Sequence, residues 1–232
     1  MRNPLGRYYV LFVTVIVLIS GCGHSGGRTP IVLPEARNTR LIIDGGPDVL
    51  VIITHDPITK QDNFELDGDN IPRLEMFDKF RESTKERGDP VLIKAAPDVR
   101  YGSVLDAMDA ANVAGFTKFA FVNRVQGSPT DGDKPVGFQK TLQARPPRMH
   151  FDRRHSIEVE ITKKNQIWID RRVTEPEKLY SEMNHAVAYH RAQGFSDHIS
   201  LVADQDVSWT TIIHVLDAAR QAGDDDVGFV TQ

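Results

Sequence analysis

The chain contains the same stretch of sequence twice, and this internal repeat constrains its fold more than any other feature. Residues 95–122 read AAPDVRYGSVLDAMDAANVAGFTKFAFV, and residues 203–230 read ADQDVSWTTIIHVLDAARQAGDDDVGFV. The two stretches align without a gap, so that Asp98 pairs with Asp206 and Gly115 with Gly223. Because a typical domain holds about 100 to 150 residues, the chain length fits two small domains of the same architecture.

The second copy and the residues before it follow the pattern of a mixed α and β domain. Ile157, Val159 and Ile161 alternate with polar residues, which predicts a strand with one buried face. The stretch 163–165 predicts a tight turn, and residues 167–169 predict a second strand.

A helix is predicted next in the second unit. Thr174 is a candidate N-cap, with Pro176 in the first turn and Glu177 completing a capping box. The apolar face of this helix comprises Leu179, Met183, Ala186 and Val187. A strand at 198–203, a helix at 208–222 and a strand at 227–230 complete the order β-β-α-β-α-β.

The first unit repeats this order with a longer hairpin. Its predicted elements are strands 49–53 and 63–66, a helix bearing Leu74, Met76, Phe77 and Phe80, strand 91–93, helix 103–114 and strand 119–122. Gly115 and Gly223 stand where a helix ends, a place that favours left-handed backbone. The predicted fold class is therefore α+β: two tandem two-layer sandwiches, each with its helices on one face of a small sheet.

Segments rich in glycine and proline divide the chain. Residues 22–39 are predicted to be a flexible tether and residues 123–154 a linker. The two domains are predicted to span residues 40–122 and 155–232.

The N-terminus has the composition of an export signal. Residues 1–21 carry Arg2 and Arg7, then an apolar run that is short for a membrane span of about 20 residues. Small residues precede Cys22, the only cysteine, and this stretch resembles the lipobox of bacterial lipoproteins. The resemblance implies lipidation of Cys22 and a lipid anchor facing the periplasm; an uncleaved single-pass signal anchor in the inner membrane is the alternative.

The duplicated stretch resembles the C-terminal signature of the periplasmic domain of the ExbD/TolR family of biopolymer-transport proteins. Residues 91–122 and 199–230 carry it, as V-L-I-K-A in the first copy and I-S-L-V-A in the second, each followed by D-V-x-[YW] and D-A-A. The first copy departs from the pattern at Ala96, where the second copy has the acidic Asp204, and Trp209 replaces the usual tyrosine.

The resemblance implies domains that dimerise in the periplasm and serve proton-driven complexes. Implied partners are ExbB/TolQ-like channel subunits and a TonB/TolA-like peptide or peptidoglycan. Family members carry a transmembrane aspartate for proton coupling, whereas residues 1–21 contain no acid. We therefore expect an accessory component without its own proton relay, in which two fused domains form an internal pseudo-dimer.

Four residues at matching positions of the two copies are candidate partner-binding residues: Asp98, Tyr101, Asp206 and Trp209. Both aspartates fit turns before helices better than general bases. For the two aromatic side chains, core packing is the alternative to a surface that binds a peptide or glycan.

The sequence does not indicate an enzyme. It contains no nucleophile elbow and no phosphate-binding loop, and the eight histidines do not have zinc-site spacing, so no catalytic, cofactor or metal residue is predicted. A formal net charge of −4 argues against nucleic acid as a partner. The acidic stretches 67–70 and 224–226 are interpreted as turns. The predicted function is a non-enzymatic, envelope-anchored transport component; the alternative is a structural envelope lipoprotein that self-associates or binds the cell wall.

Overall fold

A computed structural model provides the fold, and it describes residues 31–41, 49–83, 90–126, 136–141, 156–224 and 227–230. The predicted export signal and Cys22 lie outside the described residues. Within the described ranges, no helix combines the length and the hydropathy that a membrane span requires.

The elements follow one another in two similar series. The first comprises β1 (Glu35–Ala36), β2 (Arg40–Leu41), β3 (Val49–His55), β4 (Asp62–Leu66), β5 (Asp69–Ile71), α1 (Met76–Glu82), β6 (Val91–Ala95), α2 (Tyr101–Val113), β7 (Lys118–Val125) and β8 (Val136–Thr141). The second comprises β9 (Ile157–Ile161), β10 (Ile167–Ile169), β11 (Arg172–Thr174), α3 (Leu179–Ala192), β12 (Ile199–Ala203), α4 (Trp209–Gln221) and β13 (Val227–Val230).

Each series forms its own mixed sheet, which confirms the predicted α+β class with two tandem sheets. The first sheet has the order β2-β8-β7-β6-β3-β4-β5, with β1 added beside β7, and the second has the order β11-β10-β9-β12-β13. Each sheet contains three neighbouring parallel strands, β7-β6-β3 in the first and β9-β12-β13 in the second, and the hairpin beside them is antiparallel. The helices connect the parallel strands, as parallel pairing requires.

The strands and helices bury the faces that their patterns predict. Ile157, Val159 and Ile161 are at most 1% exposed, and α3 buries the predicted apolar stripe. Gly115 and Gly223 end their helices with φ of +100° and +88°, the left-handed conformation expected there. Buried residues of both halves form one continuous core.

Three details of the hairpins and helix starts differ from the sequence-based prediction. Each hairpin continues into a third short strand, because Asp67-Gly68 and Asp170-Arg171 both adopt the positive φ of a type I′ turn. Thr174 is buried in β11 and caps no helix. Leu74, predicted on the packed face of the first helix, is 95% exposed, since it lies in a short 3-10 turn before α1.

The stretch 123–154, predicted as a linker, contains β8 and the end of β7. Strand β8 pairs antiparallel with β7 from Lys118↔Thr141 to Asn123↔Val136. A Cβ at Gly137 would lie 1.7 Å from the carbonyl oxygen of Phe121, so only glycine fits this close approach. The many glycine and proline residues in this stretch therefore led to the prediction of a linker where a strand is present.

Residues 31–39, predicted as part of the tether, are packed against the first sheet. Leu33 is 4% exposed and forms a small second core with Leu92, Ala120 and Val122 on the sheet face that the helices leave open. Strand β1 then pairs parallel with the end of β7. This segment covers apolar surface on that face of the first sheet.

Candidate functional site

The two halves meet through a reciprocal exchange of backbone hydrogen bonds at the starts of α2 and α4. The N–H of Tyr101 donates to the carbonyl of Val207 at 2.8 Å, and the N–H of Trp209 donates to the carbonyl of Val99 at 2.7 Å. Each bond is the counterpart of the other in the alignment of the repeat. An antiparallel bridge between Arg100 and Ser208, which also correspond in that alignment, lies between them.

A second pair of bonds repeats this relation one residue further along each helix. The N–H of Gly102 donates to Gln205 at 2.9 Å, and the N–H of Thr210 donates to Pro97 at 3.1 Å. A Cβ at Gly102 would lie 3.0 Å from the Gln205 side chain, so the halves are in close contact here. The contact therefore has an approximate two-fold relation within one chain.

Aromatic rings fill the interior of this contact with the same relation. The rings of Phe121 and Trp209 are 5.0 Å apart between centroids, and their counterparts Phe229 and Tyr101 are 6.2 Å apart. Phe121 and Phe229 contact each other edge to face at 5.6 Å. Such edge contacts suit aromatic quadrupoles and add to the apolar burial.

The predicted partner-binding residues divide into two buried and two exposed side chains. Tyr101 and Trp209 are 0% exposed, so a partner does not reach their rings in this conformation and they pack as core residues between the halves. Asp98 and Asp206 are exposed in the preceding loops. Lys163 donates to the Asp206 carboxylate and lowers its pKa.

Both buried aromatic residues carry a polar atom without a hydrogen-bond partner among the described residues. These atoms are the Tyr101 hydroxyl and the Trp209 indole nitrogen, Nε1. Burial raises the pKa of Tyr101 above its ordinary value, so this phenol stays neutral. Since a buried unpaired polar group is unfavourable, this contact is less stable than its area alone indicates.

A buried carboxylate, Asp62, anchors the longer first hairpin to the start of α2. Its side chain is 1% exposed and accepts from His55 Nδ1 at 2.7 Å, Arg100 Nε at 3.0 Å and Ser103 Oγ at 2.5 Å. Burial raises its pKa, but the hydrogen bonds from Ser103, His55 and Arg100 outweigh this and hold the pKa below its ordinary value.

This cluster contains serine, histidine and aspartate, yet its geometry does not activate a nucleophile. The Ser103 hydroxyl donates directly to Asp62, whereas a catalytic serine bonds to the histidine. The sequence reasoning missed the cluster. The five extra residues of the first hairpin, visible when the two copies are aligned, were the available signal.

A second buried carboxylate, Asp217 of α4, holds the N-terminal segment against the second half. It is 0% exposed and accepts from the backbone N–H groups of Arg37 at 2.9 Å and Asn38 at 2.6 Å. The hydroxyl of Tyr180 donates to the same carboxylate at 2.5 Å. Burial and the bond to Asp217 raise the pKa of Tyr180.

Beside Asp217 lies a cleft of about 430 Å³ between the N-terminal segment and the second half, lined by Arg37, Tyr180 and His214 among others. Burial lowers the pKa of His214, and Arg37 adds to this effect while Asp217 opposes it. The imidazole in the cleft is thus favoured in its neutral form. Sequence analysis singled out none of these residues, although Asp217 belongs to the repeated D-A-A motif.

A further cleft of about 470 Å³ lies in the second half between the β10–β11 hairpin and α3. His190 is 2% exposed there; its Nε2 lies 2.9 Å from the Asp170 carboxylate and its Nδ1 lies 2.8 Å from the Ser196 carbonyl. His185 lines the same cleft. The described residues contain no cluster of three or more side chains suited to a metal ion.

Comparison with protein families agrees with this architecture. The family model of biopolymer transport protein ExbD/TolR matches residues 9–126 and 139–232, which is most of the chain. The chain therefore belongs to the ExbD/TolR family, whose members are biopolymer-transport components associated with the bacterial envelope. The two matched segments agree with the tandem arrangement of the two sheets. No individually curated protein matches the chain.

Proposed function

We propose that this protein is a non-enzymatic, envelope-anchored component of ExbD/TolR-type transport in which two fused domains do the work of two subunits. The observation that best supports this proposal is the reciprocal contact between Tyr101 and Val207 and between Trp209 and Val99. A contact of this kind within one chain buries the surface that a second subunit would cover in a dimer of single-domain chains.

In this proposal the chain works beside a proton-driven channel rather than as part of its proton path. Residues 1–21 contain no acidic residue, and a proton relay inside a membrane requires an ionisable group. Lipidated Cys22 holds the protein at the membrane. Mass spectrometry of the mature N-terminus tests the anchor, because an acylated cysteine and an unprocessed Met1 have different masses.

The second sheet offers an edge to which a partner peptide can add as a strand. Strand β7 of the first sheet is followed by β8, whereas no strand of the described residues pairs with the outer side of its counterpart, β13. Unpaired backbone groups on an edge strand bind extended peptides through main-chain hydrogen bonds. We propose this edge as the site for a TonB/TolA-like peptide.

Hydrogen exchange on the full chain tests this site. Addition of a membrane extract fraction that contains the partner is expected to protect the amides of Val227–Val230. The opposite edge, β11, is the internal control because it is exposed to the same solution. Protection at β11, or at neither edge, contradicts the proposal.

Affinity capture from bacterial membranes distinguishes the proposed function from a purely structural role. Recovery of ExbB/TolQ-like channel subunits supports the transport component. Recovery of cell-wall fragments alone instead supports a structural lipoprotein that binds the wall. Analytical ultracentrifugation of the same chain adds an independent test. An obligate dimer argues against the proposal that the two halves of one chain bury each other's dimer surface.

A further inference from the structure

The cleft of about 430 Å³ beside Asp217 is formed by three separate parts of the chain. Arg37 comes from the N-terminal segment, Gln126 directly follows β7, and the rest of the lining belongs to the second half, with Tyr180 and His214 among it. Sites for small ligands occupy about 300–1,000 Å³, so this cleft has room for a ligand as large as a short peptide.

The guanidinium of Arg37 is held in position at the edge of this cleft. Its Nε donates to the side chain of Gln126 at 2.5 Å, and its central carbon lies 5.1 Å from the centre of the Tyr180 ring. Its two terminal nitrogens, Nη1 and Nη2, have no hydrogen-bond partner among the described residues. A fixed guanidinium with two unused donors is the group that binds a carboxylate through a pair of hydrogen bonds.

Two further side chains offer donors to the same cleft. Thr211 donates to the amide oxygen of Asn165 at 3.4 Å, so the NH₂ group of Asn165 remains as a donor. His214 lies one turn after Thr211 on α4, and its ring nitrogens bond to no other group within the described ranges. A neutral imidazole has one N–H, so the lining provides three kinds of donor for an anionic oxygen.

The acidic residues of the lining are mostly occupied. Asp217 accepts from two backbone N–H groups and from the hydroxyl of Tyr180, and it is fully buried. Glu35 pairs with Arg124. Glu177 is exposed, so its charge opposes the binding of an anion. The lining thus has one guanidinium available to an anion and one carboxylate that weakens its binding.

We propose that this cleft binds the carboxylate of a short peptide segment. The guanidinium of Arg37 pairs with the carboxylate, while His214 and Asn165 donate to its oxygens or to the adjoining peptide carbonyl. The buried side chains of Ile167 and Leu179, which also line the cleft, suit the aliphatic part of such a ligand. This site goes beyond the transport role proposed above and does not depend on it.

Binding of three small probes to the full chain, followed by NMR, tests the proposal. The probes are N-acetyl-dialanine with a free carboxylate, its C-terminal amide, and N-acetyl-aspartyl-alanine amide, whose carboxylate is on a side chain. We expect the free acid to bind at least about tenfold more tightly than its amide. Binding of the aspartyl probe as well assigns the site to any peptide carboxylate, and its failure assigns the site to a C-terminus. Equal affinity of acid and amide, or binding of neither acid, overturns the proposal.

A pair of arginine variants locates the binding in this cleft. Arg37→Gln is expected to weaken binding of the acid by about tenfold, and it keeps the backbone N–H that donates to Asp217, so circular dichroism is expected to stay unchanged. The matched control is Arg172→Gln, because Arg172 lines the other cleft together with His185. Glu177→Gln is expected to tighten binding. Equal losses in the two arginine variants contradict the assignment.

The dependence of affinity on pH gives a readout that a purely structural role would not change. The charged groups around His214 are Arg37, Glu35, Glu177 and Asp217; Arg37 lowers the pKa of His214 and Asp217 raises it, while burial lowers it most. A bound carboxylate raises this pKa, so binding takes up a proton and tightens as the pH falls from about 8 to about 6.

NMR of the His214 ring proton measures this shift directly. The spectrum of His214→Gln identifies the signal, and this variant is expected to bind the acid with an affinity that no longer changes with pH. A His214 pKa that stays the same when the free acid is added, or an unchanged pH dependence in His214→Gln, shows that the carboxylate does not bind beside this imidazole.

Discussion

Helices α2 and α4 occupy matching places in the two halves, yet one carries an exposed aspartate and the other a fully buried one. Asp109 faces outward, whereas Asp217 is enclosed by the segment that contains Arg37 and Asn38. The strands beyond the helices differ in the same way, because β7 is paired with β8 and β13 is an edge of the described sheet. A duplicated sequence thus specifies the same local fold twice, while residues outside the repeat decide which surfaces are covered.

The contact between the halves joins them into one core, so a large change there is expected to destabilise the whole chain. Trp209→Ala removes a fully buried ring that contacts Phe121, and we expect the free energy of unfolding to fall by about 3–5 kcal/mol. Tyr101→Ala, the matched variant, is expected to have a similar effect. Urea unfolding followed by circular dichroism measures both. Two separate transitions, with only one half affected by each variant, contradict a shared core.

The next largest expected effect on unfolding free energy distinguishes Asp217 from its counterpart Asp109. Asp217→Ala leaves the N–H groups of Arg37 and Asn38 and the hydroxyl of Tyr180 without their acceptor, and we expect a loss of about 3 kcal/mol in unfolding free energy. Asp109→Ala changes an exposed side chain and is expected to lower it by less than about 1 kcal/mol. Denaturant titration of both variants measures the difference. Equal losses of unfolding free energy in the two variants show that the buried bonds of Asp217 do not stabilise the fold.

The buried Asp62 gives the first half a dependence on pH. Its folded-state pKa is lowered, so its stabilising effect is complete above the ordinary aspartate pKa of about 4 and is lost as the pH falls through the lower folded value. We expect the difference in unfolding free energy between the wild type and Asp62→Asn to shrink below about pH 4.

Thermal unfolding from pH 3 to pH 7 measures this difference. Asp206→Asn is the control, because the pair formed by Asp206 and Lys163 is exposed and contributes little at any pH. A gap between wild type and Asp62→Asn that stays constant with pH contradicts the role given to this carboxylate.

The smallest effect concerns the unpaired hydroxyl in the contact. Tyr101→Phe removes a buried polar atom that has no partner among the described residues, so stability is expected to stay the same or to rise by up to about 1 kcal/mol. Differential scanning calorimetry of this variant measures the change. A loss of more than about 1 kcal/mol indicates that the hydroxyl does have a partner.

Much of each half could be predicted from the sequence because its patterns are local. The alternation of Ile157, Val159 and Ile161 predicted β9, and the spacing of Leu179 and Met183 predicted the buried face of α3. Strand β8 could not be predicted in the same way, since its place depends on the close approach of Gly137 to Phe121 of β7, which no local pattern shows.

The candidate site was harder to predict than the fold. Tyr101 and Trp209 were recognised as matching positions, but whether they face a partner or each other's half depends on how the two halves pack. Asp217 carries no local signal of burial, because Arg37 and Tyr180 lie far from it in the chain. The longer first hairpin is a signal near Asp62, but it does not show that Asp62 bonds to Arg100 and Ser103.

The sequence by itself determined the duplicated architecture and the order β-β-α-β-α-β that both halves contain, because these follow from the repeat, from apolar periodicity and from turn residues close together in the chain. The family was indicated by the resemblance of the repeated motif. Only the tertiary structure decided that Trp209 is interior, that Asp217 is buried while Asp109 is exposed, and that β13 is an edge of the sheet formed by the described residues. These outcomes depend on contacts between residues far apart in the chain, such as Arg37 with Asp217 and Phe121 with Trp209. Their energies depend on packing and on hydrogen-bond partners that no local pattern encodes.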